Sequence, residues 1–115
     1  MVHSDPGFVV RTHLDAFSAG DLDRMLATLA PSARFVTGRT AVDPVDFPEF
    51  FGWAIREISP SMQIENLLVD GDQVACQFVE SISVDGDQQH LTRAAFYRVE
   101  HGLITSAKVY DERDD

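Results

Sequence analysis

Apolar residues in the first quarter of the chain recur at the spacing of an amphipathic helix. Asp5 and Pro6 suit the N-cap and first turn of that helix, and Gly20 suits its end. Asp21 would cap a second, short helix over DLDRMLATLAP, which Pro31 would stop. The apolar stripe of the first helix comprises Val9, Val10, His13, Leu14 and Phe17. We therefore predict a hairpin of two helices.

The pattern changes from helical to strand-like along the chain. ARFVT is a short β-prone stretch, and PEFFGWAIREI fits a third helix that Gly52 weakens. After Pro60, DGD, DGD and HG separate runs that alternate as strands do. The four predicted strands are SMQIENLLV, QVACQFVESISV, QQHLTRAAFYRVE and LITSAKVYDE. Helices followed by hairpins predict one α+β domain over residues 1–115, with N-terminal helices packed into a curved antiparallel sheet.

Alternation along QVACQFVESISV places one charged residue on an apolar face. Val74, Cys76, Phe78, Ile82 and Val84 share this face with Glu80. A two-residue turn at Asp85 and Gly86 would place Phe78 opposite Arg93. Glu80 and Arg93 would then be diagonal neighbours.

The other two hairpins determine which further polar groups face the helices. A turn at His101 and Gly102 would place Lys108 opposite Ala95 and Tyr110 opposite Arg93. A three-residue DGD loop would bring Met62, Ile64, Asn66 and Leu68 to the same inner face. The outer face would then present an apolar patch of Ala94, Phe96, Ala107 and Val109, and we expect a homodimer through it.

These registers predict an inner face more polar than a helix-on-sheet core requires. Burying an unpaired charge lowers the free energy of unfolding by roughly several kcal/mol. Three arrangements remain open: Glu80 and Arg93 pair in an ordinary core, they lie in solvent because the true register differs, or they line a ligand cavity. Phe78 and Trp53 would supply apolar contacts to such a ligand.

Composition narrows the choice of partners. The formal net charge of −10 disfavours nucleic acid and anionic membranes. Cys76 is the single cysteine, which we expect in the core, and the four histidines show no metal-site spacing, so we expect no metal and no cofactor. MVHSDPGF lacks the pattern of a signal peptide and no apolar run is long enough for a bilayer, so we expect a cytoplasmic protein.

The segment VVRTHLDAFSAGDLDRMLATLAPSARFV resembles the opening of the SnoaL-like cone family, as do GDQVACQF, RAAFYRVEHGLIT and KVYDE further along. This superfamily includes ketosteroid isomerases, polyketide cyclases, limonene epoxide hydrolase and nuclear transport factor two. The resemblance implies a cone-shaped sheet around a deep pocket, often in a dimer. It does not by itself select a reaction.

The catalytic residues of three relatives map only in part onto this chain. Ketosteroid isomerases, which this chain resembles, use a tyrosine in the first helix as an oxyanion donor and an aspartate after the first strand as the base. In this chain the corresponding positions are His13 and Thr37. Thr37 cannot act as a carboxylate base, so the usual isomerase mechanism is not expected. The epoxide hydrolases use an Asp-Arg-Asp set, of which Glu80 and Arg93 match two members. No second matching acid is apparent. The SnoaL-type cyclases, which this chain also resembles, use a histidine and an aspartate, but alternation points the candidate Asp111 away from the pocket.

Two functional hypotheses follow. The first is an acid–base enzyme of isomerase, cyclase or hydratase type that acts on a small, apolar, oxygen-bearing molecule. His13, Glu80 and Tyr110 would handle protons. Arg93 and Lys108 would orient the substrate or stabilise an oxyanion, with Asn66 as a further contact. The second is a non-catalytic ligand-binding or dimerisation module on the same fold.

Overall fold

The computed structural model describes residues 5–111 as three α-helices, a short 3-10 helix and six strands. The helices are α1 (Pro6–Ser18), α2 (Leu22–Leu26) and α3 (Phe47–Ile58), with the 3-10 helix at Pro44–Asp46. The strands are β1 (Leu29–Thr37), β2 (Thr40–Val42), β3 (Ser61–Asp70), β4 (Gln73–Val84), β5 (Asp87–Glu100) and β6 (Leu103–Asp111). The predicted α+β class is confirmed.

Helix α1 forms as its sequence predicts. The Asp5 carboxylate accepts a hydrogen bond from the Gly7 backbone N–H at 3.0 Å, and Pro6 occupies the first turn. All five residues of the predicted apolar stripe are buried. Gly20 follows the helix with a φ of +74°, a conformation that glycine adopts without a steric penalty.

Helix α2 is shorter than predicted. Asp21 caps it through the Arg24 backbone N–H, but the helix ends at Leu26 rather than continuing to Pro31. Leu29 already belongs to β1, where it pairs with Ile104. Pro31 is exposed and lies within β1, so it is not the residue that ends α2. Pairing with β6 therefore overrides the helical pattern of ATLA.

The six strands form one curved sheet in the order β2-β1-β6-β5-β4-β3. Four of the pairings are antiparallel, as expected, but β1 lies parallel to β6. The predicted antiparallel sheet is thus a mixed sheet. After β1 the chain passes through β2, the 3-10 helix, α3 and strands β3 to β5 before β6 returns beside β1 in the parallel direction. The pairing of Phe78 with Arg93 and of Glu80 with Leu91 is confirmed.

Two β-bulges change the registers predicted for the outer hairpins. In β6, Ile104 pairs with Val99 and Ser106 with Arg98, so Thr105 is an extra residue. In β3, Ile64 pairs with Phe78 and Asn66 with Gln77, so Glu65 is an extra residue. Along the chain after each bulge, the side chains of that strand lie on the opposite face from the one predicted.

The core lies between the helices and the concave face of the sheet. Its most completely buried large side chains include Phe78, Met25, Ile104, Val10 and Val74. Cys76 is buried among them, as expected for a small core residue. No helix within residues 5–111 is long and apolar enough to cross a bilayer.

Candidate functional site

A cavity of about 170 Å³ opens between the helices and the concave face of the sheet. Aromatic and aliphatic side chains from α1, α3 and the sheet form most of its wall. Trp53 lines the cavity although 51% of its surface is exposed, whereas His13 and Tyr97 are almost fully buried. Trp53 therefore marks the open side of the cavity, and His13 and Tyr97 mark its inner end.

An ion pair forms the charged part of the wall. Arg93 Nε lies 2.7 Å from Glu80 Oε1, and both side chains are largely buried. The Nε–H is not directed at this oxygen, and no other acceptor within the described residues takes it. Charge and a side-chain hydrogen bond from the Arg93 guanidinium hold the pair together, while the Arg93 Nε–H is a buried donor without a partner among the described residues.

A second acid stands beside this pair. The bulge in β6 brings Asp111 opposite Arg93, on the inner face that Val109 also occupies. Burial raises the pKa of Glu80, the charge of Arg93 opposes this effect, and the negative charge of Asp111 adds to it. Glu80, Arg93 and Asp111 thus lie on three adjacent strands, which is an acid-arginine-acid arrangement.

The imidazole of His13 contacts the hydroxyl group of Thr28. Its Nδ1 lies 2.9 Å from Thr28 Oγ1, and the Thr28 hydroxyl donates to the Met25 carbonyl at 2.6 Å. Tyr97 packs edge-on against the imidazole, with ring centroids 6.1 Å apart. Burial lowers the pKa of His13 to about 4, although a hydrogen bond between the ring and the Met25 carbonyl acts in the opposite direction, so the ring is neutral near pH 7.

Tyr97 adds a hydroxyl group to the inner end of the cavity. It pairs with Val74 on β4 and faces the helices. Burial raises the pKa of Tyr97, and the nearby Cys76 and Glu80 contribute in the same direction. The phenol therefore stays protonated and can donate a hydrogen bond to a ligand oxygen.

The structure brings together five of the eight residues predicted for the site. His13, Glu80, Arg93, Phe78 and Trp53 all line the cavity. Thr37, which cannot serve as a base, also lines it. Their roles in binding or chemistry remain predictions.

The other three predicted site residues lie on the outer face of the sheet, so their predicted position on the inner face is wrong. The Thr105 bulge turns Lys108 and Tyr110 outward, where the Lys108 ammonium lies 5.3 Å from the centre of the Tyr110 ring. The Glu65 bulge turns Asn66 outward, where its amide donates to Gln77 at 2.7 Å. The same bulges turn Leu68 outward and Asp111 inward.

Thr28 and Tyr97 were not predicted as site residues, and Asp111 was expected to point away from the pocket but lies opposite Arg93. The spacing of apolar residues in β6 indicated the orientation of Asp111. Ala107 and Val109 follow the period of two of a strand but Ile104 does not, which is typical of a bulge between Ile104 and Ala107. Continuing the period from Val109 places Asp111 on the same inner face. Thr28 gave no such signal, since its hydroxyl contact to His13 is created by the α1–α2 packing. No cluster of three or more potential metal ligands occurs within residues 5–111.

Solved structures similar to this chain share its fold at low sequence identity. An LEH-like epoxide hydrolase from M. tuberculosis has a TM-score of 0.86 at 16% identity, over 93% of this chain and 82% of that one. A candidate polyketide cyclase from Xanthomonas campestris pv. campestris has a TM-score of 0.83 at 21% identity, over 94% and 91%. An NTF2-like protein of unknown function from Burkholderia pseudomallei has a TM-score of 0.81 at 19% identity, over 97% and 92%.

The search of curated proteins gives no match. The family model of the SnoaL-like domain matches residues 10–107, a range that begins within α1 and ends within β6. The family resemblance of the sequence, the order of its strands and the cavity beneath its helices agree with this match. The chain belongs to the SnoaL-like domain family.

Proposed function

We propose that the protein binds a small, apolar, oxygen-bearing molecule in the cavity and performs acid–base chemistry on it. The observation that carries this proposal is a carboxyl group of raised pKa, Glu80, beside Arg93 in an otherwise apolar cavity. A carboxyl group whose pKa lies closer to neutrality is a better proton carrier than an ordinary surface carboxylate. Glu80 is therefore the proposed proton-transfer residue.

The neighbours of Glu80 supply complementary functions. The Glu80 carboxylate would take a proton from a carbon next to a ligand carbonyl. The negative charge would then develop on the carbonyl oxygen, for which Arg93 Nε–H and the Tyr97 hydroxyl are the available donors. Return of the proton from Glu80 to another carbon gives isomerisation. Attack of the enolate carbon on a second carbonyl breaks that C=O π bond, and return of the proton from Glu80 to the resulting alkoxide gives a cyclic hydroxyketone. The likeness to a candidate polyketide cyclase supports this class of reaction.

A second candidate, hydration of an epoxide, is favoured by the position of Asp111. With an acid on each side of Arg93, one carboxylate can take a proton from water while the other, protonated, gives a proton to the epoxide oxygen. The water oxygen bonds to an epoxide carbon as the ring C–O bond breaks, and a diol results. The likeness to an LEH-like epoxide hydrolase supports this candidate.

A substrate panel separates these candidates. The wild-type protein is assayed with cyclic β,γ-enones, with aromatic polyketones and with small apolar epoxides such as cyclohexene oxide. Turnover of enones or polyketones, reduced in Glu80→Gln and retained in Asp111→Asn, supports carbanion chemistry. Diol formation that requires both acids supports hydration. Binding of panel members without turnover of any would contradict both candidates and favour a non-catalytic binding module.

A further inference from the structure

The hydroxyl group of Thr28 determines which ring nitrogen of His13 carries the proton. A threonine hydroxyl has one hydrogen, and the Thr28 hydrogen is donated to the Met25 carbonyl at 2.6 Å. The oxygen that lies 2.9 Å from His13 Nδ1 can therefore only accept. In a neutral imidazole the proton must then sit on Nδ1, and Nε2 must carry the free lone pair.

The surroundings keep this arrangement in place. Thr28 and His13 are both buried, and Phe35 and Tyr97 pack against the imidazole at ring-centroid distances of 6.4 and 6.1 Å. Thr28 lies outside the cavity wall whereas His13 is part of it. The polar contacts of the ring within residues 5–111 are those with Thr28 at Nδ1 and with the Met25 backbone. Nε2, the other ring nitrogen, is then left to a ligand.

We infer that Thr28 is a positioning residue that presents His13 to the cavity as a hydrogen-bond acceptor, so that the site selects ligands carrying a hydroxyl or enol O–H. This inference rests on the proposed function. It refines the ligand class, because Arg93 Nε–H and the Tyr97 hydroxyl are donors that suit a carbonyl oxygen. A molecule with both a carbonyl and an O–H group, such as a hydroxyketone or an enolised diketone, matches both sets.

The first test reads the tautomer directly, without ligand or turnover. Nitrogen-15 NMR distinguishes protonated from unprotonated imidazole nitrogens, and His13→Gln identifies the signals of His13. We expect a protonated Nδ1 and an unprotonated Nε2 in the wild type and in Thr28→Ser. In Thr28→Val, a near-isosteric change without the hydroxyl, we expect the Nε2–H tautomer to become populated. A wild-type protein with the proton on Nε2 would overturn the inference.

The second test reads ligand selection with a matched pair of probes. p-Cresol and 4-methylanisole share an apolar ring and an oxygen, but only p-cresol has an O–H. We expect p-cresol to bind at least about tenfold more tightly to the wild type and to Thr28→Ser, as one well-made hydrogen bond to a buried acceptor allows. The preference should largely disappear in Thr28→Val, or in Thr28→Ala if the valine variant does not fold.

The outcomes separate the inference from the proposed function. If Thr28→Val keeps both the tautomer and the preference, the Met25 carbonyl alone is sufficient and the role of Thr28 is refuted. Equal binding of the two probes to the wild type refutes the selection of hydroxyl ligands. If neither probe binds, the pocket function fails, while the NMR result still decides whether Thr28 positions His13.

Discussion

At the scale of single residues, Glu80 is the group on which the proposed chemistry depends. Replacing it with glutamine keeps its size but removes its ability to move a proton, and Asp111 still faces Arg93. We expect Glu80→Gln to lower turnover of the substrate identified in the panel by about 100-fold or more, with little change in KM. Glu65→Gln, which changes an exposed glutamate in the β3 bulge, is the matched control. Equal loss of activity in both variants would count against the assignment.

His13 makes a testable contribution to the pH dependence of stability. Its pKa falls from 6.5 to about 4 on folding, so between these values the unfolded chain binds more protons than the folded one. Stability contributed by the neutral ring is therefore complete above pH 6.5 and is lost as the pH falls toward 4. The full effect is about 3 kcal/mol.

Denaturant unfolding from pH 4 to 7 measures this effect. In His13→Gln the rise in unfolding free energy over this range should be smaller than in the wild type by up to about 3 kcal/mol. His101→Asn is the control, because His101 is exposed in a turn at a φ of +54° that asparagine tolerates. A wild-type pH profile in His13→Gln would show that His13 is not buried as a neutral ring.

At the scale of elements, two glycines in the helical layer should respond in opposite directions to alanine. Gly52 lies inside α3, and an added Cβ would meet the ends of Arg56 and Leu22 at 3.4 Å. Gly20 has a φ of +74° after α1. We expect Gly52→Ala to raise the free energy of unfolding by up to about 1 kcal/mol and Gly20→Ala to lower it by about 1 kcal/mol. Thermal and urea unfolding measure both, and destabilisation by Gly52→Ala would mean that the α2–α3 contact is too close for a methyl group.

The two bulges define how far sequence reasoning could go. Alternation of apolar and polar residues shows which side chains face the helices only where the strand keeps its period of two. This period holds along β4 and along the part of β5 that pairs with it. The Glu80–Arg93 pair was therefore predictable. Thr105 and Glu65 each interrupt the period, and every prediction beyond them, including Tyr110 and Asn66, came out on the wrong face. The parallel β1–β6 pairing was also beyond reach, because the sequence of β1 carries no mark of its partner.

At the scale of the whole molecule, the outer face of the sheet carries an exposed apolar surface. Ala94 and Phe96 lie there as expected, whereas Ala107 and Val109 are buried on the inner face, so that half of the predicted patch is wrong. Leu68 and Tyr110 take their place, with 70% and 48% of their surfaces exposed. We define Leu68, Ala94, Phe96 and Tyr110 as the outer apolar surface.

We propose that the outer apolar surface forms a homodimer interface, because large exposed side chains on a sheet face are costly in water. Sedimentation at micromolar concentrations should give a dimer for the wild type. Phe96→Lys should shift it to a monomer, because the two-fold axis would bring the new charges together. The control is Val45→Lys, which alters an even more exposed apolar residue away from this surface. A wild-type monomer at high micromolar concentration would refute the proposal.

The parallel contact between β1 and β6 also governs the order in which the chain can fold. Leu29 and Thr37 find their partners Ile104 and Val109 only when the last strand is available, so closing this contact costs more chain entropy than any hairpin of the sheet. During synthesis, α1, α2 and β1 leave the ribosome long before β6 does. The cavity wall at Thr37 and Val109 is therefore among the last parts of the molecule to form. A nascent chain that lacks β6 exposes apolar core residues that chaperones can bind, and its cavity is incomplete.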